Sequence, residues 1–300
     1  MEIHPDWKKA GKIAGEARLF GVKLIKEGVT FLEVTDKIEE FIKKKDSKPG
    51  FPVQISLNGL AAHYTPFPDD TSVFQSGDVV KLDLGVHING YIGDTAMTIE
   101  VGTKENTEII KASKEALDAA LKLAKPGTKV FEIGRAVEEV ISSYNLKPIK
   151  NLSGHGVSKF LLHDDPSIPN YDNHDPYVLK EGQVLAIEPF ATKGAGLVRE
   201  GKLSSNFRLP NLNVQVRDAN ARKMLDYIKK EFNTLPFAKR YLTKVFNPRE
   251  VTGGLFVLKQ QGLIYEYPQL PEKEDGLTSQ HEHTVMVADK PLIITKVDDE

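Results

Sequence analysis

The chain has 300 residues, of which 40% are hydrophobic and 27% charged, with a formal net charge of -2. This is the balance of a soluble globular protein, one large domain or two ordinary ones, with no global charge to draw it to nucleic acid or an anionic membrane. Cysteine is absent, which excludes disulfides, thiolate metal sites and cysteine nucleophiles and leaves His, Asp and Glu to build any metal site.

The first twenty residues, MEIHPDWKKAGKIAGEARLF, have no apolar core of a secretory leader. No apolar run approaches the roughly 18 residues of a membrane span. A cytoplasmic chain without membrane attachment is expected.

The first predicted elements recur. Gly28–Ile42 reads GVTFLEVTDKIEEFI and Gly127–Ile141 reads GTKVFEIGRAVEEVI, an offset of 99 residues that also aligns Glu16-Ala17 with Glu115-Ala116. Each half reads as a helix, a glycine-containing turn and a second helix. The second helices carry Val34, Ile38, Phe41 and Ile42, and Ile133, Val137, Val140 and Ile141, at helical spacing. Gly77–Asp83 (GDVVKLD) then resembles Gly182–Glu188 (GQVLAIE) at an offset of 105 residues, each a short apolar strand ending on a carboxylate. Between helix and strand each half carries a histidine, His63 and His163. The recurrence predicts an α/β (α+β) fold of two pseudo-symmetric halves; two unrelated helix pairs of similar composition are the alternative.

Val79–Ile99 predicts a hairpin. Asn89-Gly90 suits a two-residue turn in which both central residues have positive φ. That turn pairs Ile88 with Tyr91 and Asp83 with Ala96, so Asp94 shares a face with Asp83, roughly 7–8 Å away at the backbone. Leu82, Leu84, Val86, Ile88, Tyr91 and Met97 are expected on the opposite, core face. Two like charges side by side are unfavourable unless a cation neutralises them; two solvated carboxylates on an exposed face are the bland alternative.

In the second half, His155 lies between glycines in NLSGHGV, where a satisfied loop histidine is again the alternative. Glu188 ends the apolar strand VLAIE, and a buried glutamate is costly unless paired or metal-bound. Residues 194–265 break the repeat. Asp218 is a candidate N-cap for a helix with an apolar stripe of Ala221, Met224, Leu225, Ile228 and Phe232. Residues 217–249 hold nine Lys/Arg against three Asp/Glu. This stretch reads as an inserted helical subdomain whose charges form a solvated face, with contact to ribosomal RNA or a nascent-chain partner as the alternative. The chain then returns to strands at His283–Ala288 and Leu292–Thr295, the first opened by Glu282.

Asp83, Asp94, Glu188 and Glu282 with His155 make an oxygen-rich set with one imidazole. Four carboxylates in one cleft are balanced by two divalent cations, and the donor set suits Mn, Co, Fe or Zn. Two such ions about 3.5–4 Å apart share carboxylate bridges and hold a hydroxide nucleophile.

In the stretches FPVQISLNGLAAHYTP, GDVVKLDLGVHINGYIGDTAMT, NLSGHGV, VLAIEPFATKGAG and SQHEHTVMV the chain resembles the type II (archaeal and eukaryotic) methionine aminopeptidases, from about residue 8 to the C-terminus. The resemblance implies the pseudo-symmetric pita-bread fold, a catalytic domain over 1–193 and 266–300, and a winged-helix-like insertion over 194–265. It implies two metal ions, with Asp94 and Glu282 bridging, Asp83 on one metal, and His155 and Glu188 on the other. It assigns His63 to the substrate amine and scissile amide, His163 to the tetrahedral intermediate, Glu188 to proton transfer, and Phe51 and Leu162 to the methionine pocket. The implied activity is hydrolytic excision of the N-terminal methionine of nascent proteins, before a small second residue, by a metal-bridging hydroxide. A monomer with no specific DNA partner is expected.

The chain departs from the family in three places. FPVQIS lacks a cysteine, Gly156 stands where a bulkier residue is usual, and Asp164-Asp165 replaces a small residue. The alternatives are a prolidase or X-Pro aminopeptidase, which carry a sizeable N-terminal domain, and a non-catalytic binding protein of the same fold, which has lost the ligands.

Overall fold

The computed structural model describes residues 2–297. Its first half runs α1 (Pro5–Leu24), α2 (Phe31–Lys44), β1 (Lys48–Leu57), β2 (Leu60–Ala62), β3 (Val79–Ile88) and β4 (Tyr91–Glu100). The second half runs α3 (Thr107–Leu121), α4 (Val130–Ser143), β5 (Lys147–Pro148), β6 (Ser153–Ser158), β7 (Leu161–Pro169), β8 (Val184–Ile187) and β9 (Phe190–Thr192). Then come β10 (Leu203–Arg208), α5 (Ala219–Glu231), β11 (Phe237–Ala238), α6 (Lys239–Thr243), α7 (Pro248–Gln260) and β12 (Tyr265–Pro268). The described chain closes with β13 (Leu270–Pro271), β14 (Thr278–Gln280), β15 (Glu282–Met286) and β16 (Leu292–Ile293).

The repeated helix pairs form where the repeat predicts them. Gly28 and Gly127 both turn the chain at positive φ, +79° and +90°. The matched glutamates Glu33 and Glu132 both sit in a first helical turn. Glu33 N–H donates to the capping Thr30 Oγ1 at 3.1 Å, whereas Glu132 Oε2 accepts from Lys129 N–H at 2.8 Å.

The central sheet is antiparallel and runs β1-β3-β4-β15-β8-β6-β7, with β16 beside β15. Strands of the first half meet those of the second across β15. α1 and α2 cover β1, β3 and β4 over a core that includes Val34, Ile38, Ile42, Leu82, Leu84 and Val86. α3 and α4 cover β15, β8 and β7 over a matching core with Ile133, Val137, Ile141, Leu185, Ile187 and Val285. Both helix pairs lie on one side of the sheet, so its inner face is left for the site. Tyr91 and Met97 are only half-buried, and Tyr91 stacks on His4 with ring centroids 4.0 Å apart. α1 closes on the sheet at Gly93, where a Cβ would stand 2.5 Å from the Gly11 Cα.

The segment expected to be an inserted helical unit is not helical throughout. Besides α5, α6 and α7 it holds β10 and β11, which form a three-stranded sheet in the order β11-β10-β12 with the strand that begins at its last residue. It has its own apolar cluster, in which Phe207 and Phe237 of the sheet meet Met224, Leu225 and Ile228 of α5 and Leu258 of α7. Asp218 caps α5 as expected, accepting from Ala221 N–H at 2.8 Å. The strands are two to six residues long, too short for an alternating pattern to stand out. One cation of the local excess is not solvated: Arg240 is buried against Glu39, whereas Lys244 pairs with Asp36 at 3.2 Å on the surface. No described helix is long and apolar enough to cross a membrane.

Candidate metal centre

Strand alternation delivers the carboxylates to the inner face. Leu82 and Leu84 point to the helices, so Asp83 between them points inward; Leu185 and Ile187 point to the helices, so Glu188, in phase with Ala186, points inward. Asn89 and Gly90 have φ of +51° and +88°, and the turn pairs Ile88 with Tyr91 and Asp83 with Ala96. Glu282, which opens β15, faces Ala96 in the next strand, two residues along from Asp94 and so on the same face. From the other side, His155 of β6 pairs with Ala186 of β8.

The five predicted ligands therefore line one cleft of about 210 Å³. Ligand atoms of Asp94, His155 and Glu282 lie within 4.8 Å of one another. His155 Nε2 stands 3.8 Å from Asp94 Oδ2 and 3.7 Å from Glu188 Oε1. The His155 Nδ1 lies 3.1 Å from the Gly156 carbonyl, which can only accept, so Nδ1 carries the proton and Nε2 presents a lone pair to the acids. The fixed backbone explains the unusual Gly156: a Cβ there would come within 2.1 Å of the Asp165 carbonyl oxygen.

The electrostatics are those of a site built for cations. Burial raises the Asp83 carboxyl to about 7. Asp94, Glu188 and Glu282 are pushed well above the usual carboxylate range, by burial first and then by one another's charge. Burial also pulls His155 down to about 4, leaving it neutral and free to ligate. Asp83 Oδ1 and Asp94 Oδ1 are buried with no hydrogen-bond partner among the described residues. Buried acids that repel one another and keep unpaired oxygens fit divalent cations. Behind them, Arg18 donates to Thr95 Oγ1 at 2.7 Å, and Thr95 in turn to the Glu282 carbonyl at 2.8 Å.

The two other predicted histidines stand over the acids. His63 follows β2 at φ +73° and places Nδ1 3.0 Å from the Pro268 carbonyl. Burial holds it below the usual imidazole range and therefore neutral near pH 7. His163, on β7, lies edge-on to His155 with ring centroids 4.5 Å apart. Phe51 and Leu162 line the same cleft. Asp164 and Asp165 do not; Asp164 is engaged by the Ser158 hydroxyl and the Asp165 N–H.

The sequence reading passed over several residues of this cleft. Gln280 donates to Glu188 Oε2 at 3.0 Å, and Asn206, Pro236 and Tyr267 form a wall above the acids. Gln280 had a signal, since it lies two residues before Glu282 in phase with it. The other three come singly from separate short elements and belong to no motif.

Residues 6–220 match the model of metallopeptidase family M24. The chain is 45% identical over 288 residues to a methionine aminopeptidase of Pyrococcus abyssi, covering 96% of this chain and 97% of that protein. Among solved structures it is similar to a thermophilic Arx1, with a TM-score of 0.85 and 17% identity over 98% of this chain and 90% of that one. It is also similar to the methionine aminopeptidase of Thermotoga maritima, with a TM-score of 0.71 and 24% identity over 99% and 98% of the two chains. The two structures show the shared pita-bread fold. With the family model spanning most of its length and an acid-and-imidazole centre on the inner face of its sheet, the chain belongs to metallopeptidase family M24.

Proposed function

We propose that this chain is a metal-dependent methionine aminopeptidase of the type II class, acting on the N-terminal peptide of nascent proteins whose second residue is small. The observation that carries this reading is the convergence of four carboxylates and one neutral imidazole at the foot of a cleft with an apolar wall. Asp83, Asp94, His155, Glu188 and Glu282 would hold two divalent ions, Co, Mn, Fe or Zn. When bound, the ions supply Lewis acidity and a water of lowered pKa.

The remaining chemistry belongs to the chain. Glu188 takes the proton from the attacking water and returns it to the leaving amine, a role supported by its place at the cleft and its hydrogen bond from Gln280. His163, beside His155, donates to the developing oxyanion. His63, its Nδ1 proton held by Pro268, presents Nε2 to the scissile amide. Phe51 and Leu162 receive the thioether, which is unbranched, polarizable and free of hydrogen-bond donors. Residues 194–265 are the insertion that roofs the cleft. Any ribosome contact of this cation-rich segment would use Lys229 and Lys230 on α5. Charge reversal of that pair should weaken ribosome co-sedimentation, and an unchanged sediment would remove the contact.

Glu188→Ala tests the mechanism. Its far-ultraviolet circular dichroism should match the parent while methionine release falls by about 10³ or more with metal saturating. Substantial turnover in the variant would sink the assignment.

A further inference from the structure

Arg240, the second residue of α6, is 2% exposed, and the chemistry above makes no use of it. Its Nη2 pairs with Glu39 of α2, and Tyr241 Oη donates to the same carboxylate oxygen at 2.6 Å. Its Nη1 donates to Thr65 Oγ1 and lies 3.5 Å from the Pro66 carbonyl. Thr65, fully buried, donates onward to the Val53 carbonyl of β1 at 2.9 Å. One guanidinium thus joins α2, β1 and the loop after β2 to the segment that carries the cleft's upper wall.

The position of that node matters more than its stability. Thr65 lies two residues from His63, whose left-handed backbone is held by donation of its N–H to Gln54 Oε1 at 2.8 Å. On the other side, Arg240 follows Pro236 by four residues, and Ala238 between them pairs with Asn206. A buried ion pair is a poor means of stabilisation, because apolar groups of similar volume do as well or better. Here Arg240 Nε is also buried with no hydrogen-bond partner among the described residues. What a guanidinium supplies, and an apolar side chain does not, is a rigid fork of donors with fixed directions.

We propose that Arg240 is a positioning residue for the peptidase site: through Thr65 and Pro66 it fixes the loop that carries His63, and through Glu39 it fixes the Asn206–Pro236 wall over the acids. The inference rests on the methionine aminopeptidase reading. The test compares R240K, R240M, T65V and the double variant T65V/R240M in the full, metal-loaded chain. It measures kcat and KM on a Met-Gly peptide, bound metal, Tm, and the imidazole ¹⁵N signals of His63. T65V and R240M should lose about tenfold or more in kcat with KM changed by less than about threefold, because small misplacements of a reacting group act on the transition state. Bound metal should be unchanged and the His63 signals displaced. R240K should recover part of the loss, and the double variant should be no worse than R240M, as expected of residues acting through one contact. Should R240M fail to fold, T65V and R240K carry the test. Unchanged kcat and His63 signals in these variants, losses explained by Tm or metal content, or additive losses would overturn the proposal. Failure of the parent to release methionine would overturn the peptidase reading instead, and the His63 signals would then decide the role of Arg240 alone.

Discussion

Single residues in this chain are constrained by backbone approach and by buried polarity. Gly156 follows His155 of the candidate metal centre, and its missing side chain is what lets β6 lie against the Asp165 carbonyl. Gly156→Ser, which restores a bulkier residue at this position, should destabilise the chain by about 1–3 kcal/mol and weaken metal binding, because His155 must move with the strand. Isothermal titration with Mn²⁺ beside thermal melting checks both, and parental values in each would show that the backbone yields. Lys81 is a second case. It is fully buried on β3 and donates to the carbonyls of Asn58 at 2.8 Å and Thr278 at 3.2 Å. Lys81→Met keeps the volume but strands those acceptors, and should cost about 2–3 kcal/mol in a denaturant melt. The sequence offers no hint of this lysine's burial, because a lysine in an apolar strand otherwise reads as solvent-facing.

At the scale of the element, the β3–β4 hairpin was the most legible part of the chain. Asn89-Gly90 dictates the turn, the turn dictates the register, and the register places Asp83 and Asp94 on one face. What the pattern did not show is how the hairpin tip is held. His87 is 8% exposed, and its Nδ1 accepts from Gly90 N–H at 3.2 Å. Burial first, and the nearby Lys48 charge second, bring its folded-state pKa to about 4. That lies below the unfolded value of about 6.5, so the neutral form is favoured in the folded state. The associated stability is present above about pH 6.5 and is lost as pH falls toward 4, in total on the order of 3 kcal/mol. His87→Gln should therefore flatten the stability profile between pH 6.5 and 4 relative to the parent. Parallel profiles would contradict the burial argument. Legibility also varied along the chain. The helix pairs were readable because a glycine turn and a 3.6-residue stripe recur in both halves. The small sheet of β10, β11 and β12 was not, because its strands are too short to establish a period.

For the whole molecule, the two halves meet at β15, and the acids of both halves converge on the inner face of one sheet. Glu188 and Glu282 could be found in the sequence because each closes or opens an apolar strand, where a carboxylate is conspicuous, whereas Asp83 and Asp94 lie within β3 and β4 and were found through the hairpin register. The roof of the cleft could not, because Asn206, Pro236 and Tyr267 are brought together only by the folding of the segment above it. A centre of mutually repelling acids destabilises the metal-free fold. Ions that bind only the folded state should raise Tm by mass action, by about 2.7 kcal/mol of stability at 100 times Kd. Scanning calorimetry with Mn²⁺ and with a chelator checks this, and a chelator-insensitive Tm would argue against a resident metal.

The peptidase activity is measured most directly by peptide hydrolysis with Co²⁺ or Mn²⁺, using Met-Gly, Leu-Gly and Met-Pro peptides beside a chelator control. A methionine aminopeptidase releases methionine from the Met-Gly peptide only with metal, releases leucine poorly, and releases neither with chelator. Cleavage restricted to the peptide with proline second, or no release with any metal, would contradict the methionine aminopeptidase reading.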